Sequence, residues 1–248
     1  SEPSPGDIVE QYNIAEVNEA VAAANPDRAA IITADRTITY AELTARTRRF
    51  ANALHQRGFG AHTERAQLPG HESGQDHLAI YLHNGPEYIE SMLGAFKARV
   101  APFNVNYRYV AEELRYLLDN AKARIVVYHD AFAPTLAEVL ADLPDIALLV
   151  QVPDDSGNAL LPDAVRYDDL LAEGSTDPLD LELSPDDLYI LYTGGTTGMP
   201  KGVLWRQHDI FISAMGGRPF GQTEAFPDLA SIVEASKNGG ARMMSVAP

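Results

Sequence analysis

The sequence predicts an α/β fold with a mainly parallel sheet and helices on both faces. Short apolar runs (LAIYL, ARIVVYH, IALLVQV) alternate with segments of helical periodicity, the pattern of βαβ units. The intervening helices are long enough to cross over the sheet and cover it. With 248 residues, 46% hydrophobic and 22% charged, the chain can bury a substantial core.

The elements follow in order. In NIAEVNEAVAAANPD, Asn13 caps a helix with Glu16 three residues on, Ile14, Val17 and Val21 form its apolar stripe, and Asn25-Pro26 stops it. Residues 30–33 and 37–40 read as a hairpin across the polar turn Ala34-Asp35-Arg36. Thr39 and Glu42 form a capping box for a helix that runs to about Arg57, where Gly58 ends it, with Leu43, Phe50, Ala53 and Leu54 inward. The next stretch, AHTERAQLPGHESGQD (61–76), is polar and aperiodic and reads as a long surface loop. His62, His71 and His77 with Glu64, Glu72 and Asp76 match no metal-ligand spacing, so a solvated loop is expected there.

Beyond it, residues 78–82 are a strand, and Pro86 opens a helix with Ile89, Met92, Leu93 and Phe96 inward. Residues 100–105 are extended, 112–120 are helical with Leu114, Leu117 and Leu118 inward, and 123–129 are a strand. A helix is expected from Pro134 to Pro144, then the strand IALLVQV. Residues 153–163 and 173–187 read as loops around one amphipathic turn at 167–171, and this acidic Pro/Gly-bearing region (153–187) is where a lobe break is expected.

Composition narrows the function. A net charge of -16 argues against a nucleic-acid partner, and any anionic ligand must meet a local positive focus. With no cysteine, disulfides and thiolate chemistry are excluded and the chain is compatible with a reducing cytoplasm. Its apolar runs are far shorter than a membrane span, and SEPSPGDIVE carries neither a basic n-region nor an apolar h-region, so no signal peptide is expected.

One segment does not read as core. TGGTTGMPKG (193–202) follows the apolar strand LYILYT and precedes the apolar VLW, so it lies at a sheet end, a common ligand position in α/β folds. Gly194, Gly195, Gly198 and Gly202 admit left-handed backbone angles and close approach by a ligand. Thr193, Thr196 and Thr197 add hydroxyls and Lys201 a mobile charge. That inventory suits a polyphosphate; a tight glycine-rich hairpin turn is the alternative. Walker A is excluded, because Pro200 precedes Lys201 and Gly202 follows it. No G-x-G-x-x-G opens a helix after the first strand, so the dinucleotide fingerprint is absent as well.

At YTGGTTGMPKGV the sequence resembles the phosphate loop of adenylate-forming enzymes, the family of acyl-CoA synthetases, aryl-CoA ligases, luciferases and peptide-synthetase adenylation domains. The likeness extends over PDRAAII…TITYAELTARTRRFANAL and LAIYLHNGPEYIESMLGAFKARVAPFNVNYRYVAEELRYLLDNAKARIVV, and His208 sits where the family commonly carries a histidine. GGTTGMPKGVLWRQHD is most like fatty-acyl-CoA synthetases acting on long or sterol-derived acids. The resemblance implies a carboxylic acid substrate, Mg-ATP, and coenzyme A as co-substrate. It places the β- and γ-phosphates at Thr193, Gly194, Gly195, Thr196, Thr197 and Gly198, with Lys201 in a supporting contact; the magnesium ligands are left unassigned.

The family's second loop position is usually Ser and is Gly194 here, and its Lys-Ala-Gly turn reads Lys97-Ala98-Arg99, which puts a glycine-dependent turn there in doubt. Residues 61–76 also form a longer loop than the family's. The family's later magnesium and ribose acids, hinge and lid lie beyond SVAP, so residues 1–248 are expected to be the N-terminal portion of such an enzyme, inactive alone. An aryl- or amino-acid-adenylating enzyme and a shortened non-catalytic nucleotide-binding module are the alternatives. Trp205, Phe211 and Met215 are expected to be core rather than acyl pocket.

Overall fold

The computed structural model describes residues 10–193 and 199–239. Its first helix, α1 (Ile14–Ala24), starts where the Asn13 side chain accepts from the Ala15 N–H, which satisfies one of the orphan donors of the first turn. The small antiparallel pair β1 (Ala29–Ile32) and β2 (Thr37–Thr39) follows. Both halves of the capping box form at the start of α2 (Tyr40–Gln56): Thr39 Oγ1 accepts from the Glu42 N–H at 3.2 Å, and Glu42 Oε2 accepts from the Thr39 N–H at 2.7 Å.

The main sheet has seven strands in the order β7-β6-β5-β3-β4-β8-β9. Its parallel part comprises β3 (His77–Tyr81), β4 (Ala101–Asn104), β5 (Ala123–His129), β6 (Leu148–Val152), β7 (Ala164–Arg166) and β8 (Leu188–Thr193), and β9 (Lys201–Arg206) is antiparallel to β8. Two apolar clusters cover its faces. On one, α1, α2 and α3 (Pro86–Lys97) pack against Leu78, Ile80, Ile125 and Val127; on the other, α4 (Ala111–Asn120) and α5 (Ala133–Ala137) pack against Ala79, Tyr81, Val126 and Tyr128. This is the period-2 division that a strand buried on both sides requires. The first face also receives α6 (Tyr167–Glu173), α7 (Gln207–Ala214) and, through Ile232, α8 (Leu229–Lys237). Gly94 lets α3 lie close on α2: a Cβ there would sit 2.7 Å from Phe50 Cδ1 and 3.1 Å from the Thr47 carbonyl.

Four local expectations need correction. The 134–144 helix is broken into α5 and a 3-10 turn at Leu140–Asp142, because Val139, Asp142 and Leu143 bond three residues back rather than four. That tighter winding brings Leu136 and Val139 to the same side, where both are buried. The strand β7 is an addition that periodicity does not reveal, being three residues long, and with α6 it adds residues of the 153–187 region to the same sheet and to α2.

The 61–76 loop is surface at its tip but anchored at its base. Ala61 bridges Gln75, Asp76 accepts from the Gly60 N–H at 3.1 Å, and Asp76 and His77 are both buried. His77 lies between the Ala121 carbonyl and the Ser73 hydroxyl. The Lys97-Ala98-Arg99 turn forms without glycine: Arg99 takes φ 56°, and its guanidinium is held by Asp187 and Glu64. Side-chain ion pairs there supply what the missing glycine would have supplied through backbone freedom.

Candidate functional site

The connections out of the sheet fix where a ligand can enter. After β3 the chain turns to α3 on one face, and after β4 it turns to α4 on the other. Loops that part in this way leave a crevice at the carboxyl ends of neighbouring parallel strands. A cavity of about 340 Å³ occupies that position, lined by Tyr88, Asn104, Asn106, Tyr107 and Tyr192 among others.

The β8–β9 hairpin rises beside it. β8 joins the parallel part of the sheet through Phe103↔Ile190, so Thr193 lies at the same end as the crevice. β9 returns in register from Leu188↔Arg206 to Thr193↔Lys201. Strand alternation places Tyr189 and Leu191 toward the α3 face and Ile190 toward the α4 face, so Thr193 and Lys201 share one side as a cross-strand pair. Both are exposed. Among the described residues no carboxylate pairs with Lys201, which leaves the ammonium available to an anion. Gly194, Gly195, Thr196, Thr197 and Gly198 lie outside the described residues.

Gly202 requires a correction. It belongs to β9, and it is not among the described residues with positive φ. Its missing Cβ makes room for a side chain: a Cβ there would sit 2.8 Å from Tyr192 Cζ and 2.9 Å from Cε2.

His208, at the start of α7, accepts the Tyr12 backbone N–H on Nδ1 at 3.1 Å, and neighbouring Gln207 accepts from Ile14 N–H at 2.9 Å. These bonds tie the entry of α1 to α7. Burial pushes the His208 imidazole below its ordinary value, opposed by Asp209. Phe211 is core, with Trp205 and Met215 half-buried against the same cluster, as expected. Among the described residues no group of three or more His, Asp or Glu could hold a metal ion.

The model of the family described as AMP-binding enzyme matches residues 18–248. The chain belongs to that family. It is 51% identical over 243 residues to the medium-chain acyl-CoA ligase Mig of Mycobacterium avium, covering 98% of this chain and 44% of that protein. To the 3-oxocholest-4-en-26-oate–CoA ligase of Rhodococcus rhodochrous it is 36% identical over 209 residues, covering 84% of this chain and 35% of that protein. The chain thus spans less than half the length of these two relatives. Among solved structures, the anthranilate CoA ligase AuaEII superposes with a TM-score of 0.71 at 21% identity, over 85% of this chain and 38% of that one. The N-terminal domain of FACL13 from Mycobacterium tuberculosis superposes with a TM-score of 0.68 at 21% identity, over 92% of this chain and 54% of that one. These structures bear out the fold expected of an N-terminal portion of an adenylate-forming enzyme.

Proposed function

We propose that this chain supplies the phosphate-gripping part of an ATP-dependent acyl-CoA ligase acting on medium- to long-chain fatty or sterol-derived carboxylic acids. The observation that carries the reading is the exposed Thr193–Lys201 pair at the carboxyl end of the parallel sheet, beside the β3/β4 crevice. The relatives named as medium-chain and 3-oxocholest-4-en-26-oate ligases support the substrate class, and favour an enzyme over a non-catalytic module.

In this reading an oxygen of the substrate carboxylate attacks the α-phosphorus of Mg-ATP, the bond to the β-phosphate bridge breaks, and pyrophosphate leaves. The thiol of coenzyme A then attacks the acyl carbonyl, loses its proton, and expels AMP to give the thioester. The residues of this chain position and neutralise rather than form covalent bonds. Thr193 and the 194–198 segment would surround the β- and γ-phosphates, and Lys201 would place an ammonium against their oxygens. Residues 1–248 would act as one portion of the nucleotide-binding domain. No helix of the described residues is long and apolar enough to cross a membrane, and the lack of cysteine suits a cytoplasmic enzyme.

Lys201→Ala in the complete ligase tests the assignment. Losing a charge-assisted hydrogen bond costs about 1.5–3 kcal/mol, roughly ten- to 150-fold in the adenylation rate read by pyrophosphate release. An unchanged rate in a correctly folded variant overturns the role.

A further inference from the structure

Tyr192 is the last side chain before Thr193, and three separate parts of the fold hold its ring. Across the hairpin it lies on Gly202, its Cα partner, so closely that a Cβ there would sit 2.8 Å from Cζ and 3.0 Å from Oη. From β4, the Phe103 ring approaches at 5.8 Å between centroids, tilted by 52°. From the end of α4, Asn120 Oδ1 accepts the phenolic hydrogen at 2.8 Å.

Tyr192 also lines two cavities, the 340 Å³ crevice and one of about 460 Å³ lined by His77, Ile190 and Leu204 as well. With open space beside it in both, the ring is held by its contacts with Gly202, Phe103 and Asn120. The next cross-strand pair outward is Thr193↔Lys201. A change in hairpin twist at Tyr192↔Gly202 therefore moves the hydroxyl and the ammonium relative to each other, because neighbouring pairs share one twisting backbone ladder.

We infer that Tyr192 is a positioning residue for nucleotide phosphate: its ring, seated on Gly202 and tied to Asn120, sets the relative placement of Thr193 and Lys201. The inference rests on the phosphate reading above and adds to it a lock outside the glycine-threonine loop. It also gives Gly202 a function, since any side chain there displaces the ring.

The test uses the complete ligase, with KM for ATP, kcat at saturating ATP and melting temperature measured for each variant. Gly202→Ala and Tyr192→Ala should each raise KM for ATP on the order of tenfold, the scale expected when a positioning group shifts by a fraction of an ångström to an ångström. Because they break the same lock, the double variant should be no worse than the poorer single one, whereas independent roles would multiply.

Asn120→Ala should raise KM for ATP about threefold, as for a lost partly exposed hydrogen bond. Asn120→Asp, which still offers an oxygen to the phenol, should restore it. Should Tyr192→Ala melt below the assay temperature, Tyr192→Phe with Asn120→Ala carries the same comparison, and non-multiplicative effects again support the lock. Multiplying effects, or KM for ATP unchanged in Gly202→Ala and Asn120→Ala while Lys201→Ala is impaired, overturn this inference alone. An unimpaired Lys201→Ala overturns the phosphate reading and this inference together.

Discussion

Replacing Arg99 with alanine perturbs the junction that joins the 61–76 loop, the entry to β4 and the entry to β8. The guanidinium donates to Asp187 from Nε at 3.0 Å and from Nη2 at 2.8 Å, and to Glu64 from Nη1 and Nη2 at 2.8 Å each. The two acceptors differ in exposure, 4% for the Asp187 side chain against 51% for Glu64. Water competes for the Glu64 pair, which contributes at most about 1 kcal/mol. Asp187 is dry, burial already pushes its carboxyl above the ordinary value, and Arg99 is the main influence holding it down. Without Arg99, the Ser184 N–H at 3.4 Å is a poor substitute.

Removing one partner of a buried pair costs about 3–5 kcal/mol, and that is the loss expected for Arg99→Ala in urea unfolding at neutral pH. Arg99→Gly separates the backbone from the charge. It loses the same pairs but relieves a residue held at φ 56°, a conformation that costs non-glycine residues about 1–2 kcal/mol. A more flexible unfolded chain takes back part of that gain, so the glycine variant should stand about 1 kcal/mol above the alanine variant. A loss below about 1 kcal/mol for Arg99→Ala would refute the claim that a dry ion pair holds this junction. A glycine variant more stable than the parent would show that backbone strain outweighs the pair.

Other outcomes follow from the same geometry. Thr39→Ala should cost about 1 kcal/mol, read from the urea midpoint, because the Glu42 N–H loses its acceptor at the start of α2. Gly94→Ala should cost about 1–3 kcal/mol, since the new methyl meets the fully buried Phe50 ring and the Thr47 carbonyl, neither of which has room to move; a neutral result would mean that the α2–α3 contact is loose. Three histidines should withdraw stability as the pH falls below their ordinary value of about 6.5. Burial lowers the imidazoles of His77, His129 and His208, so the unfolded chain takes up their protons first. Their contribution is complete above the ordinary histidine value and is lost as the pH drops through each folded value. His208→Gln should flatten that dependence, and an unchanged slope of urea midpoint against pH would remove His208 from the account.

Much of the fold was legible because its signals are local. The caps at Asn13 and Thr39 are made by residues two or three positions away, and helix stripes such as Leu114, Leu117 and Leu118 repeat within one or two turns. The stem of the site was legible in the same way, as an apolar strand running into glycines and a lysine. Arg99 and Tyr192 were not. Arg99 stands where a glycine was expected, and its partners Glu64 and Asp187 are 35 and 88 positions away. Tyr192 reads as one more apolar strand residue until Gly202 and Asn120 are brought to it.

The sequence by itself determined where helices start and stop, which runs become strands, and that a glycine-threonine segment ending in lysine lies at a strand end. These depend on backbone preference and hydrophobic period, which act over a few residues. Only the tertiary structure decided which carboxylates are dry, that His77 is buried at the root of a polar loop, and that the absent Cβ of Gly202 makes room for Tyr192. Burial and side-chain contact between distant segments are properties of the assembled layers, and they take definite values only once the crossovers have set β3, β4 and β8 side by side.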